Sequence, residues 1–119
     1  MELKTIDIEN TTIVTLAAEE TKIETVQDAT DLLGNAHYMG AGNVILEEKN
    51  LGPGFFDLKT GIAGDILQKY ANYGIRLAIV GDFEKYESNA LRAFITECNR
   101  GNSIFFVVSM DEAVERLKR

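Results

Sequence analysis

Apolar and polar positions along the chain follow two periods, and the change from one to the other predicts the order of its elements. Short runs rich in β-branched and apolar residues predict five strands. These runs cover residues 3–8, 12–17, 43–47, 75–80 and 103–108. Between and after them, apolar residues recur at spacings of three and four, which predicts four amphipathic helices. The helices cover residues 25–35, 60–73, 87–99 and 110–118.

Capping and stop residues support several of these boundaries. Thr25 and Asp28 have the three-residue spacing of a capping box, with Asp in place of the usual Glu. Ser109 and Glu112 form the same pattern ahead of the last helix. Gly34 follows the apolar stripe of the first helix and is predicted to end it.

The order β-β-α-β-α-β-α-β-α places the sequence in the α/β class. Strands that alternate with helices form parallel sheets through right-handed crossovers. Glu9, Asn10 and Thr11 separate the first two runs and suggest a hairpin, which would give the sheet an antiparallel N-terminal edge. We therefore predict a mixed, mostly parallel sheet in a single domain over residues 1–119.

Two segments are predicted to be deeply buried. Residues 75–80 are apolar at almost every position, which only a strand covered on both faces tolerates, so we expect this strand at the centre of the sheet. On the third helix, Leu91, Phe94, Ile95 and Cys98 share one face at helical spacing, and we expect that face to be buried.

Composition and charge narrow the function classes. The 119 residues carry a formal net charge of -7, and the pI is about 4.7. Such an acidic surface repels phosphate backbones and anionic lipids, so we expect no nucleic-acid or membrane partner. The amino terminus lacks the features of a secretory signal, and Cys98 is the only cysteine, which leaves no internal disulfide. We therefore expect a cytoplasmic protein.

Three stretches carry a resemblance to a known family. Residues 55–70, residues 73–83 and the turn at residues 97–101 resemble the signature of an uncharacterised bacterial family, domain of unknown function 4180. The likeness covers nearly the whole chain. It implies no known activity.

The element order is also similar to that of the STAS fold, which includes the anti-sigma-factor antagonists and transporter tail domains. Residues 44–47 resemble the strand that precedes the STAS motif, and residues 56–61 resemble its helix start. Thr60 falls at the position that is phosphorylated in the antagonists, and Gly61 at the glycine after it. Leu58 or Lys59 stands where that motif has its first serine. The resemblance implies a STAS-like regulatory or protein-interaction module.

The residues at this helix start are our candidate site. Exposed N–H groups and the helix dipole favour an anion at such a point, and Lys59 adds positive charge beside Asp57, Thr60 and Gly61. The segment is therefore a candidate for phosphorylation, or for contact with an anion or a partner. In the simpler interpretation, Asp57 or Thr60 only caps the helix. The alternative function is a small-molecule or anion-binding protein, or a minor enzyme, that uses this polar cluster.

Other polar residues suggest chemistry less directly. Glu47, Glu48 and Asp57 could cluster at the carboxyl ends of strands and bind a cation or transfer protons, although solvated loop charges explain them more simply. His37 and Cys98 are too few ligands for zinc, and only a Cys–His hydrolase would use both. We therefore expect no catalytic residue and no metal site.

Nucleotide motifs are also missing from the sequence. Gly52 and Gly54 precede Lys59, but Leu58 stands directly before the lysine, where a phosphate-binding loop needs glycine. We expect no cofactor. The expected partner is a cytosolic protein, and a basic one would suit the acidic surface. The sequence leaves open whether the chain forms a homodimer.

Overall fold

A computed structural model describes residues 2–16 and 23–118. The strands are β1 Leu3–Ile8, β2 Thr11–Leu16, β3 Asn43–Glu47, β4 Arg76–Val80 and β5 Ile104–Val107. The α-helices are α1 Val26–Tyr38, α2 Ile62–Asn72, α3 Asn89–Arg100 and α4 Met110–Leu117. Three short 3₁₀ helices lie between β3 and α2, at Glu48–Asn50, Pro53–Phe56 and Leu58–Thr60.

The sheet has the strand order β1-β2-β3-β4-β5. β1 is antiparallel to β2, and every other neighbouring pair is parallel. The predicted α/β fold with its antiparallel N-terminal edge is therefore confirmed. β4, the strand expected at the centre, is paired on both sides, although β3 holds the middle position. None of the described helices is both long and apolar enough to cross a bilayer.

The hairpin between β1 and β2 turns through two residues rather than three. Glu9 and Asn10 have φ values of 47° and 67°, and Thr11 already pairs with Ile8. Positive φ at both central positions is the geometry of a type I′ turn, whose twist matches that of the flanking strands.

The capping box of α1 is confirmed, but the predicted end of this helix is wrong. Thr25 Oγ1 accepts the Asp28 N–H at 3.0 Å, and the Asp28 carboxylate accepts the Thr25 N–H at 3.1 Å. The helix does not stop at Gly34 and continues to Tyr38, because Ala36 extends its fully buried face. Gly40, with a φ of 75°, follows the last turn.

The helices cover the two faces of the sheet unequally. The larger core cluster joins Leu32 and Leu33 of α1 to Ile66 of α2, and half-buried side chains of α3 pack against it. On the other face, Ala113 and Leu117 of α4 belong to a smaller cluster with strand residues. Right-handed crossovers in this strand order place α1, α2 and α3 on one face and leave α4 on the other.

The burial predicted for α3 is complete only at Leu91, which is 1% exposed. Phe94, Ile95 and Cys98 are half-buried and pack against the core from its margin. The physical reason is the position of α3, which packs against the edge strand β5, so that among residues 2–16 and 23–118 no further strand or helix extends the core beyond it. The helix also begins two residues later than expected, after its N-cap Ser88.

Candidate functional site

The carboxyl ends of β3, β4 and β5 lie at one edge of the sheet, because these strands are parallel. The segments that leave this edge are residues 48–61 and 81–88, together with Val108 after β5. In open α/β sheets, ligands bind outside the carboxyl ends of the strands. We call this region the carboxyl edge.

Glu48 ties two of these segments together. Its Oε1 accepts the Asp82 N–H at 3.2 Å, and its Oε2 accepts from Lys85 Nζ at 2.8 Å and from the Tyr86 hydroxyl. Burial raises the pKa of Glu48, but the hydrogen bonds from Lys85, Tyr86 and Asp82 outweigh it and hold the pKa below its ordinary value. Burial and the Glu48 carboxylate raise the pKa of Tyr86. Glu48 is thus a charged anchor for the loop after β4.

Gly81 allows this close approach. A Cβ at position 81 would lie 2.6 Å from the Glu48 Cβ, 2.8 Å from its Oε1 and 3.0 Å from Phe83 Cζ. Any side chain at this position would therefore displace Glu48 or the loop.

Aromatic rings join the same two segments beneath the polar contacts. Phe56 stacks on Tyr86 with ring centroids 5.0 Å apart and an interplanar angle of 16°. Phe83 meets Phe106 of β5 edge to face at 5.2 Å. Phe55 is fully buried, and its ring centroid lies 6.5 Å from that of Phe106. Aromatic side chains from the two segments therefore pack together, and this packing holds the segments against each other.

Thr60 is exposed, but its hydroxyl is fully engaged with the backbone. The single hydroxyl proton faces two carbonyl oxygens, Gly54 O at 2.7 Å and Asp57 O at 2.9 Å. Thr60 Oγ1 also accepts the Ile62 N–H at 3.2 Å. One side chain therefore closes the loop on itself and caps the start of α2.

The four predicted site residues, Asp57, Lys59, Thr60 and Gly61, lie together in this turn. Asp57 Oδ1 accepts the Lys59 N–H at 3.1 Å. Gly61 has a φ of 76°, which separates the 3₁₀ turn from α2 and moves the helix start from Thr60 to Ile62. The expected start at residue 60 is therefore wrong by two residues, because the loop hydrogen bonds of Thr60 compete with the helix.

The three acidic residues that could have clustered, Glu47, Glu48 and Asp57, have separate surroundings. Among residues 2–16 and 23–118, no three His, Cys, Asp or Glu side chains are arranged to hold a metal ion. Glu47 is paired with Lys49 at 3.7 Å, Glu48 anchors the loop after β4, and Asp57 caps a 3₁₀ turn. Each carboxylate has a structural partner of its own.

His37 and Cys98 also have separate surroundings. The His37 ring meets the Tyr73 ring edge to face at 6.4 Å, between α1 and the end of α2. Cys98 is half-buried on α3, where burial and the charge of Glu97 raise the pKa of its thiol. A raised pKa disfavours the thiolate that a nucleophilic cysteine needs.

Two open grooves, which sequence reasoning missed, flank residues 81–88 at the carboxyl edge. The smaller encloses about 330 Å³ and is lined by Glu48, Lys49, Phe56, Lys85 and Tyr86, among others. The larger encloses about 540 Å³ between this loop, α3 and Val108. The one available signal for the larger groove was Val108, an apolar residue at the end of the last predicted strand.

A family model described as "Domain of unknown function (DUF4180)" matches residues 8–117. The chain belongs to this family. The DUF4180 match includes both segments of the carboxyl edge and all four predicted site residues. No curated protein matches the sequence.

Proposed function

We propose that this DUF4180 chain is a STAS-like regulatory or protein-interaction module of the bacterial cytosol. Its contact surface is the carboxyl edge, and residues 57–61 are its switch or contact point. The element order supports the STAS-like assignment, and the position of Thr60 ahead of α2 supports the switch.

The observation that carries the proposal is the role of the Thr60 hydroxyl. Thr60 is exposed to solvent as a residue, while its hydroxyl holds Gly54 and Asp57 in place. Between these two residues lie the buried Phe55 and Phe56, whose ring stacks on Tyr86 of the next loop. A change at the hydroxyl of this exposed residue can therefore reach both segments of the carboxyl edge.

A phosphate on Thr60 would act on this arrangement in two ways. It would remove the proton that now faces Gly54 O and Asp57 O, and so release the 53–57 backbone. It would also add close to two negative charges beside the first N–H groups of α2 and the side chain of Lys59. The helix start would tolerate the charge, while the loop would lose its closure. A switch requires a modification that the fold tolerates where it is made and that changes the structure elsewhere.

The alternative function, an anion-binding protein or minor enzyme that uses Asp57, Lys59 and Thr60, has less support. Asp57 Oδ1 and the Thr60 hydroxyl are bonded to the backbone, so both side chains already serve to shape the folded loop. Both grooves of the carboxyl edge are lined by other residues. A protein contact needs only the outer surface of this turn, which favours the interaction module.

The test is recovery of partner proteins from the native host by immobilised wild-type, Thr60→Glu, Thr60→Ala and Thr60→Ser protein. We expect Thr60→Ser to match the wild type and Thr60→Glu to change the set or amount of partners recovered. Thr5→Glu is the matched control, because it adds the same charge on the exposed face of β1. Equal recovery by all five proteins would overturn the proposal.

A further inference from the structure

The larger groove of the carboxyl edge has an apolar floor, which we call the β5-end groove. Phe83 and Ile95 are half-buried in it, and Val108 is 74% exposed at the end of β5. An exposed β-branched side chain beside two further apolar side chains marks a place where burial by another molecule is favourable.

The walls of the groove are held in place before anything binds. Arg92 donates from Nε to Tyr86 O at 2.9 Å and from Nη2 to Glu84 O at 3.3 Å, which fixes the loop against α3. Asp82 Oδ1 accepts the Glu84 N–H at 3.3 Å. This bond holds the Asp82 carboxylate beside the backbone of Glu84, and both residues are exposed to solvent on the rim. A preorganised surface of this kind lowers the entropy cost of binding.

Charge indicates what the groove accepts. Among the described residues, Asp82 and Glu84 outnumber the one cation that lines it, Arg92, whose guanidinium donates to Tyr86 O and Glu84 O. The chain as a whole carries a net charge of -7. A second copy of this chain would bring the same negative charge to the rim and be repelled, and so would an acidic peptide. A basic segment would be attracted both at long range and at contact.

The groove also favours side-chain insertion over strand addition. The Asn99 side chain already occupies the open edge of β5 at Phe106, donating to its carbonyl oxygen and accepting from its N–H. A partner strand cannot form those hydrogen bonds without displacing Asn99. The available contact is the apolar floor.

We propose that the β5-end groove binds a segment of a partner protein in which one apolar side chain is flanked by Lys or Arg residues. The apolar side chain covers Phe83, Ile95 and Val108, and the basic residues face Asp82 and Glu84. This inference rests on the proposed function as an interaction module, and it names the class of partner.

The test uses a set of labelled peptides, each with a central Leu, Ile, Phe or Met between two pairs of lysines. Binding is followed by fluorescence anisotropy, and the site by amide chemical-shift changes in the full chain. We expect at least one peptide to bind, with shifts at residues 82–84, 92–96 and 108, and binding should weaken as salt is added. Peptides with Glu for Lys, or with Ala at the centre, should bind at least about tenfold more weakly.

Two variants separate the floor from the rim. Val108→Asn removes the apolar contact without adding a charge, so it should weaken binding about tenfold or more, and it should fold because the side chain it replaces is mostly exposed. Asp82→Asn with Glu84→Gln should reduce the salt dependence, while the new amide at position 82 keeps an oxygen for the backbone N–H of residue 84. Glu2→Gln with Asp31→Asn removes the same charge from exposed positions elsewhere and should bind as the wild type does.

The outcomes distinguish this inference from the proposed function. Binding of no peptide, equal binding of basic and acidic peptides, or shifts confined to other surfaces would overturn the groove assignment. If Thr60→Glu still changes partner recovery in that case, the interaction module stands without this groove. If the peptides bind as expected but the Thr60 variants recover equal partners, the groove stands and the Thr60 switch fails.

Discussion

The side chain of Asn99 pairs with the backbone of Phe106 in the way that a neighbouring strand would. Asn99 Nδ2 donates to Phe106 O at 3.1 Å, and the Phe106 N–H donates to Asn99 Oδ1 at 2.7 Å. Because β5 is an edge strand, this amide satisfies backbone groups that would otherwise offer a template for another chain. Arg116 Nη2 donates to Asn99 O at 2.9 Å, which ties the end of α3 to α4.

Replacement of Asn99 by Leu should therefore destabilise the fold and open the sheet edge. The change leaves a half-buried donor and acceptor without partners, at a cost of about 1–3 kcal/mol in the free energy of unfolding. Denaturant titration measures this loss, and sedimentation should show new self-association. Asn35→Leu, on the exposed face of α1, is the matched control and should lie within about 0.5 kcal/mol of the wild type. Equal losses in the two variants would mean that the edge pairing contributes nothing.

Replacement of Gly81 by Ala should loosen the contact between the two segments of the carboxyl edge. The new methyl group would approach Glu48 Cβ to 2.6 Å, so either β3 or the loop must shift, at a cost of about 1–3 kcal/mol. Gly64→Ala is the control, because a Cβ there has open space inside α2 and should stabilise the helix by about 0.5–1 kcal/mol. Thermal unfolding should show a loss of stability for Gly81→Ala and a gain for Gly64→Ala. A Gly81→Ala protein as stable as the wild type would contradict the close approach of Glu48.

The Glu48 anchor predicts an acid-dependent part of the stability. Its pKa is lower in the folded chain than its ordinary value of 4.5, so the folded state binds this proton less readily than the unfolded state. The contribution is therefore fully present above about pH 4.5 and is lost as the pH falls through the lower, folded-state pKa.

Glu48→Gln tests this dependence, because it keeps the shape of the side chain and removes its titration. Between neutral pH and about pH 3, the free energy of unfolding should fall less steeply in this variant than in the wild type. Glu87→Gln removes one charge from an exposed position in the same loop and is the matched control. Parallel slopes for the wild type and Glu48→Gln in denaturant titrations would show that the carboxylate does not stabilise the fold through its charge.

The strands and helices were predictable because each depends on a local pattern. Period, capping residues and glycines gave the order of the elements, and the box at Thr25 and Asp28 is formed as the spacing indicates. The errors arose where tertiary contacts override local signals. Ala36 packs into the core and carries α1 past Gly34, and the loop hydrogen bonds of Thr60 delay α2.

The candidate site was also predictable only where it depends on a local pattern. Residues 57–61 are consecutive, so a helix-start pattern could bring them together. Glu48 and Tyr86 are 38 positions apart, and no spacing along the chain relates them. The pairing of Asn99 with Phe106 depends on the edge position of β5, which follows from the strand order. Contacts of this kind become visible only when the sheet is assembled.

Loss of the Thr60 hydroxyl should loosen the loop at residues 53–61, which this hydroxyl closes. Thr60→Val keeps the size and β-branched shape of the side chain but removes the hydroxyl, so Gly54 O, Asp57 O and the Ile62 N–H lose a partner. We expect a loss of about 1 kcal/mol in the free energy of unfolding. Hydrogen exchange should accelerate at Phe55 and Thr60, whose amides donate to Gly52 O and Asp57 O, while β3 and β4 stay protected. Thr60→Ser retains the hydroxyl and should restore most of the protection. If Thr60→Val exchanges as slowly as the wild type, the aromatic packing alone holds the loop, and a phosphate on Thr60 would have no closure to release.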